Sequence, residues 1–346
     1  MTRAGSRVDA DVLVVGGGPV GLVSAIRSRL AGLDTVLLEP RTGVLDKACG
    51  EGLMPRALAS LAEIGVDPPG MPIAGFRYLD AQHSAEHRLQ HPGRGVRRTA
   101  LHAALSARAD ELGVRRVAGK VARIVQLGDT VEAGGVSASW MLACDGLHST
   151  VSTRLGLDVP PRRGIRRYGL RRHFAIEPWT DLVEVHWSAD AEAYVTPVSE
   201  SEIGVSVLAA RGQGFDAAVA GMPVLAERLA GAEPSGTLRG AGPFGHRTSR
   251  RVAGRVLLVG DSSGYVDALT GEGLRVGFAQ AEAAVAAIVA GVPERYERDW
   301  ERATGEVRRL TSLLVAAAVS PLRPAIVPAA ARLPRVFSAA VDRIAG

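Results

Sequence analysis

The run Asp11-Val-Leu-Val-Val-Gly-Gly-Gly-Pro-Val-Gly21, followed by Glu39, limits what this chain can fold into more than any other stretch. Residues 12–15 are β-branched or aliphatic, as a central parallel strand requires, and Gly16, Gly18 and Gly21 then fall on the G-x-G-x-x-G spacing. The first glycine permits a tight turn and the second lets a pyrophosphate approach the backbone. The third lets the helix expected over about 19–30, opened by Pro19 and Val20, pack closely on the strand. N–H groups at that helix start, reinforced by the helix dipole, bind a diphosphate without a lysine. A second strand over 33–39 ends in Glu39, close to the roughly 20 residues past the third glycine at which an acid receives a ribose hydroxyl. The Glu39 carboxylate repels a 2′-phosphate, so the site suits FAD or NAD better than NADP.

The remaining composition narrows the class. With 346 residues, 47% hydrophobic and 22% charged, the chain has the make-up of a soluble protein large enough for two domains or for one domain carrying an insertion. Two cysteines, Cys49 and Cys144, supply neither a disulfide framework nor a metal-ligand cluster, so no metal is expected and a reducing cytoplasm is. The N-terminal ten residues lack an apolar signal region, and no uninterrupted run reaches the roughly 20 residues that span a bilayer. A formal charge of +5 raises the question of nucleic acid, but aromatics make up only 4% of the chain, too few for base-stacking platforms. The arginines at 162, 163, 166, 167, 171 and 172 read as a basic face, suited to an anionic partner such as NAD(P)H or simply solvated.

Along the chain, Lys47-Ala-Cys-Gly50 lies in a glycine-rich loop able to run under a flat ligand, and a helix follows over 55–64. Strand material over 75–90 precedes an amphipathic helix over 96–112, then strands within 117–127 and 131–143. Alternation within 183–208 predicts an antiparallel sheet with one face covered, Val183, Val185 and Trp187 on one side and Glu184 and His186 on the other. A helix over 215–229 follows, and a buried strand returns at 255–261. The tail from 293 reads as helices broken by Pro321, Pro324, Pro328 and Pro334, a cap over the core or a weak membrane-surface contact.

Two further motifs close strands with an acid, Asp145-Gly146 and Gly260-Asp261. In open α/β sheets ligands bind outside the carboxyl ends of strands, so Asp261 is placed to accept from a ribityl hydroxyl. Gly271 and Gly273 open a helix over 274–290 whose first N–H groups suit the negative charge of a reduced flavin.

With these motifs in order, the chain resembles the FAD-dependent group A flavoprotein monooxygenases (aromatic hydroxylases) and their relatives the geranylgeranyl reductases, over residues 9 to about 155 and 250–312. The resemblance implies that Gly16, Gly18, Gly21 and Glu39 hold the ADP moiety, with Arg98 as the arginine of an R-x-x-L motif. It places Asp261, Gly271, Gly273 and Leu274 beside the flavin, and Pro19, Val20, Pro40, Arg41, Cys49, Gly50, Val121 and Asp145 complete the expected cofactor set. Departures are specific. Gly264 stands where hydroxylases carry histidine and Ala268 where they carry proline, and the Lys47-Ala-Cys-Gly50 pattern is similar to a cysteine–glycine pair of the reductases. Ser152 replaces the usual arginine of the second motif, with Arg154 two residues on, and a W-x-W-x-I-P motif of flavin halogenases is missing.

The implied fold is α/β: a glutathione-reductase-like, Rossmann-type FAD domain over 9–74, 96–165 and 250–292, an inserted antiparallel substrate domain over 75–95 and 166–249, and a helical segment over 293–346. The implied activity is that of a cytoplasmic FAD monooxygenase using NADPH or NADH and O2 to hydroxylate or epoxidise an apolar aromatic or isoprenoid secondary metabolite through a C4a-hydroperoxyflavin. The alternative is reduction of isoprenoid double bonds. No protein side chain is singled out as catalytic; Val185, Trp187 and Tyr194 are the expected substrate pocket, and Glu51 and Glu272 read as acids that order their loops.

Overall fold

A computed structural model describes residues 8–160 and 166–345, so Arg162 and Arg163 of the basic run lie outside the described residues. The chain starts with β1 (Ala10–Val15), α1 (Pro19–Leu30) and β2 (Thr35–Leu38), then leaves for β3 (Gly52–Leu53), α2 (Pro55–Glu63), β4 (Met71–Leu79) and β5 (Ser84–Gly95). It returns through α3 (Arg98–Glu111) to β6 (Arg115–Val117), β7 (Ile124–Leu127), β8 (Thr130–Ala133), β9 (Val136–Ala143) and α4 (Thr150–Arg154). A second excursion holds β10 (Arg167–Ala175), β11 (Leu182–Trp187), β12 (Ala191–Ser199), β13 (Glu202–Ala210), α5 (Phe215–Ala220), α6 (Pro223–Arg228) and β14 (Glu233–Ala241). The close comes through β15 (Val252–Ala253), β16 (Val256–Leu258), α7 (Gly273–Val289) and the tail helices α8 (Arg295–Ala318), α9 (Ile326–Arg332) and α10 (Pro334–Ala345).

Two eight-stranded sheets result. In the first, ordered β15-β16-β9-β1-β2-β6 with β7 and β8 attached, β1 lies parallel between β2 and β9. Its Ala-Asp-Val-Leu-Val-Val sequence is apolar almost throughout because both faces are covered. Leu22, Ile26, Phe278 and Trp300 fill one side, and Leu13, Val36, Met141 and Val256 belong to the core on the other. Gly277 of α7 meets Val20 of α1 so closely that a Cβ there would sit 2.5 Å from the Val20 Cγ2, which sets how near the two helices come. The α/β, Rossmann-type architecture with an inserted sheet and a helical C-terminal segment is as expected.

The second sheet departs from the expected pattern in three ways. It is mixed, because β4 pairs parallel with β11 while its other pairs are antiparallel. It starts earlier than residue 75, with Gly52–Leu53 and with Met71. Both of its faces are covered: β11 is buried at all six positions, including Glu184 and His186, because α5 and α6 cover one face and the loops of the first sheet and tail helices the other. Alternation marked the two sides of the strand correctly, but Glu184 and His186 satisfy each other and so do not need solvent. The helix expected over 215–229 is split, since Gly221 ends α5 and Pro223, lacking an N–H, begins α6.

Candidate functional site

At the first turn, sterics decide which positions admit a side chain. Gly16 has φ +103°, and a Cβ there would lie 2.5 Å from the Cys144 carbonyl oxygen; one on Gly21 would lie 1.8 Å from the Gly16 oxygen. Gly18 is different. A Cβ there meets only Nη2 of Arg98, at 3.8 Å, so the space above it is open and cationic. α1 starts at Pro19 with no side-chain cap, leaving its first N–H groups for a ligand. Arg98, at the start of α3, is buried with its Nε unpartnered. An open glycine, uncapped amides and a buried guanidinium donor form a donor set that fits a diphosphate.

Glu39 accepts from Gly17 N–H at 2.7 Å and from Arg41 Nε at 2.7 Å. Burial works against its ionisation, but these bonds prevail and hold the carboxyl below its ordinary range. His102 steadies the same turn: Leu45 N–H donates to its Nδ1 and its Nε2 lies 2.9 Å from the Gly17 oxygen. Because the oxygen is acceptor-only, the proton sits on Nε2, and burial pushes the imidazole pKa down.

The second acid, Asp261, follows β16. No protein hydrogen bond reaches its carboxylate among the described residues; burial raises its pKa, and Lys47, Arg98 and His246 act against that rise. The segment beneath is braced by Gly260 N–H on Gln280 Oε1 at 2.6 Å and Trp300 Nε1 on Ser263 Oγ at 2.8 Å. Gly271, at φ +71°, has open space where a Cβ would go, and Leu274 is half-buried at the start of α7 behind Gly273. An unpartnered acid next to open glycines fits ribityl hydroxyls and a flat ring. Glu272 is tied to Arg275. Asp145 is committed elsewhere: it accepts from Ser149 Oγ at 2.6 Å and Val151 N–H at 3.1 Å and so holds the start of α4. Its backbone, not its carboxylate, abuts the turn at Gly16. Val121 is buried with the core on the other side of the first sheet, and Pro40 follows Glu39 at the end of β2.

The loop over 46–51 is pinned against the inner face of the second sheet. Ser206 Oγ donates to the Cys49 oxygen at 3.1 Å and Thr196 Oγ1 to the Gly50 oxygen at 2.9 Å. Glu51 is the one non-glycine described residue with positive φ, at 60°. Its Oε1 accepts from Arg98 N–H at 2.8 Å and its Oε2 faces His173 Nε2 at 2.6 Å. Arg171, a donor only, takes His173 Nδ1 at 2.7 Å, so the ring donates to Glu51 through Nε2. Arg171 also pairs with Asp46. Arg171, expected on a basic face, is instead bound to this loop, and the sequence signal for the turn was Gly50-Glu51-Gly52, glycines bracketing an acid. The expected basic face does not form as one surface, since Arg167 and Arg171 point inward into ion pairs and Arg172 pairs with Asp216.

Val185, Trp187 and Tyr194 do share the inner face. Val185 is sealed among Ile73, Leu269 and the tail helices, while Tyr194 donates to the Leu269 oxygen at 2.8 Å. Trp187 Nε1 is buried without an acceptor, and Arg323 lies 5.0 Å over its ring. Beyond Trp187, at the edge of the sheet, a cavity of about 400 Å³ opens between His186, Met222 and Val327. Between Tyr194 and the loop after Asp261 stands a buried charge group that sequence reasoning missed: Arg167 bonds Glu192, which also accepts from Arg323 at 2.8 Å, and Arg167 Nε lies 3.6 Å from Asp267. No group of three His, Cys, Asp or Glu able to hold a metal occurs among the described residues.

Residues 9–70 match the family described as FAD binding domain. Menaquinone reductase of Mycolicibacterium smegmatis is 28% identical over 335 residues, covering 84% of this chain and 79% of its own. Digeranylgeranylglycerophospholipid reductase 2 of Methanopyrus kandleri is 26% identical over 336 residues, covering 86% of this chain and 84% of its own. Among solved structures, CmlS, a flavin-dependent halogenase, superposes with a TM-score of 0.77 at 17% identity, over 88% of this chain and 64% of that one, a likeness of fold alone.

Proposed function

We propose that this chain, an FAD-dependent oxidoreductase similar to the group A flavoprotein monooxygenases and geranylgeranyl reductases, reduces a carbon–carbon double bond of an apolar, isoprenoid-bearing substrate. The observation that carries this reading is the pinned loop: Cys49-Gly50 is held by Ser206 and Thr196 of the second sheet, with Cys49 against Arg98. A fixed, small, desolvated side chain at that position favours close, dry seating of a substrate carbon. Gly264 in place of a histidine points the same way, as do two relatives named as reductases that match over most of this chain.

In this reading the turn at Gly16, Gly18 and Gly21 with Arg98 holds the diphosphate, Glu39 the ribose, Asp261 the ribityl chain, and Gly271, Gly273 and Leu274 the ring edge. When bound, FAD accepts a hydride from NADPH or NADH and passes it to substrate. The protein's part is to bind, orient and exclude water. The tail helices expose Leu313, Leu322, Leu333 and Val336, and we assign them a weak contact with a membrane surface from which a lipophilic substrate is drawn. No single helix is long and apolar enough to cross a membrane; α8 with the 323–332 segment passes that test only as a pair bent by 109°.

The second reading, hydroxylation or epoxidation with O2, is favoured by the resemblance of the three ordered motifs to the hydroxylases. Anaerobic mixing of the NADPH-reduced holoenzyme with menaquinone or a geranylgeranyl lipid separates the two. Flavin re-oxidation with a product that carries two more hydrogens in its isoprenoid chain, and not merely a quinone ring reduced to the quinol, supports the reductase. Re-oxidation that waits for O2, with oxygen in the product, replaces it with the monooxygenase.

A further inference from the structure

We propose that Asp267 is the acid that delivers the substrate proton in this reduction, and that Arg167, anchored by Glu192 and Arg323, positions it; the proposal rests on the reductase reading above. Saturating a double bond requires two electrons and two hydrogens. A hydride from the reduced cofactor forms one C–H bond as the π bond breaks, and a proton forms the other. An apolar, water-excluding site must supply that proton from a side chain. In the step proposed here the Oδ–H bond of Asp267 breaks as the second C–H bond forms, the resulting carboxylate is stabilised by Arg167, and a solvent proton restores the acid between turnovers.

Placement carries the argument. Asp267 stands on the segment joining Asp261 to Gly271 and Gly273, and it faces the inner side of the second sheet. Arg167, Gly169, Arg171 and His173 alternate onto that side of β10, where Arg171 and His173 meet the 46–51 loop. The groups around Asp267 are Arg167 from β10, Glu192 and Tyr194 from β12, and Tyr265 from its own segment. Its Oδ1 accepts the Leu269 N–H at 3.0 Å, its Oδ2 lies 3.6 Å from Arg167 Nε, and Arg167 Nη1 is buried without a partner. An unpaired donor and this acid thus share one buried point, next to the cluster that holds Leu269, Tyr194, Phe244 and Leu208.

Other acids on this side are committed. Glu51 is shared by Arg98 N–H and His173, Glu192 by two arginines, and Asp46 by Arg171 and Arg239. Burial pushes Tyr194, Tyr265 and Cys49 upward, away from easy proton release. Burial also raises Asp261 and Glu272, but Asp261 lies in the ribityl position and Glu272 is tied to Arg275. Asp267 faces the inner side of the second sheet with its pKa raised by burial, against the pull of Arg167, to about 6, so its protonated form is far more populated near that pH than an ordinary aspartate's.

The test uses the FAD-loaded enzyme and its Asp267→Asn, Arg167→Lys and Arg167→Gln variants. In the resting wild type, infrared difference spectra should show a protonated carboxyl band that titrates away near pH 6 and is missing from Asp267→Asn. In anaerobic mixing with a geranylgeranyl lipid, which has no quinone ring to take the electrons, wild-type flavin re-oxidation should be flat below about pH 6 and fall tenfold per pH unit above it. Asp267→Asn should slow this step at least about a hundredfold and abolish the pH limb, with flavin reduction by NADPH unchanged. Arg167→Gln should move the limb to higher pH and Arg167→Lys restore it. A folded, FAD-loaded Asp267→Asn that re-oxidises within about threefold of wild type, or a wild type whose carboxyl band does not titrate near pH 6, overturns the proposal. A wild type that reduces no double bond while its carboxyl band titrates as expected removes the reductase reading and with it the substrate step.

Discussion

The two sheets are stabilised by different means. In the first, the interior is aliphatic and glycine contacts fix its geometry: Gly16 and Gly21 sit where a methyl group would collide with backbone. In the second, the interior carries charge, with Arg167, Arg171, His173, Glu184, His186 and Glu192 buried among strands of ordinary β-branched pattern. The first sheet presents an open, cationic turn, and the second a set of buried, paired charges. A steric site tolerates almost no added atom, whereas an ionic one tolerates shape changes but not the loss of a partner.

That contrast is broken most severely at Gly21. Gly21→Ala places a methyl 1.8 Å from a backbone oxygen that no rotamer can relieve, so more than about 5 kcal/mol should be lost and little soluble, folded protein recovered. A normal yield with an unchanged melting temperature would show that the turn is adaptable. In the second sheet, Glu192→Gln leaves Arg323 without its buried counter-charge and Arg167 with only the more distant Asp267, a loss of about 3–5 kcal/mol in chemical unfolding. A smaller cost than about 1 kcal/mol would mean that water already screens the group.

Glu184 gives the comparison a pH axis. Burial would raise its pKa, but His186, Trp179 and Arg77 together hold it down to about 2 from an ordinary 4.5. A depressed carboxyl stabilises the fold above its unfolded pKa, so about 3 kcal/mol is present at neutral pH and disappears as pH falls from about 4.5 towards 2. Urea midpoints across that range should converge for wild type and Glu184→Gln; parallel curves would remove Glu184 from the account. The smallest effect on the fold is expected at Gly18→Val, where open space admits the side chain and stability should change by less than about 1 kcal/mol. The same variant should fail to retain FAD. Asp261→Ala should weaken FAD by about tenfold to a hundredfold, the worth of a hydrogen bond to a charged group, and measured FAD dissociation constants check both.

These sites were unequally visible in the sequence. A turn governed by contact distance has a fixed spacing, so Gly16, Gly18, Gly21, Glu39 and Asp261 stand out in one dimension. The placement of Arg98 also followed from a local motif. Glu192 and Arg323, or Glu51 and His173, are joined across more than a hundred residues, and nothing in either neighbourhood marks the partner. Alternation identified the sides of β11 but could not tell solvent from a covered face, since Glu184 and His186 look the same in either setting. Asp145 was ambiguous for a related reason: a strand-terminal acid suits a ligand and a helix start equally, and its carboxylate accepts from Ser149 at the start of α4.

The order in which strands are laid down has its own consequence. The backbone passes between the sheets four times, and β4 waits for β11, its parallel neighbour, through more than a hundred intervening residues. No single cut releases either sheet intact, so neither half is a transplantable module. During synthesis the β4 edge emerges from the ribosome long before the strand that covers it, which makes the β4–β5 hairpin the segment most in need of protection from intermolecular pairing while the chain is incomplete.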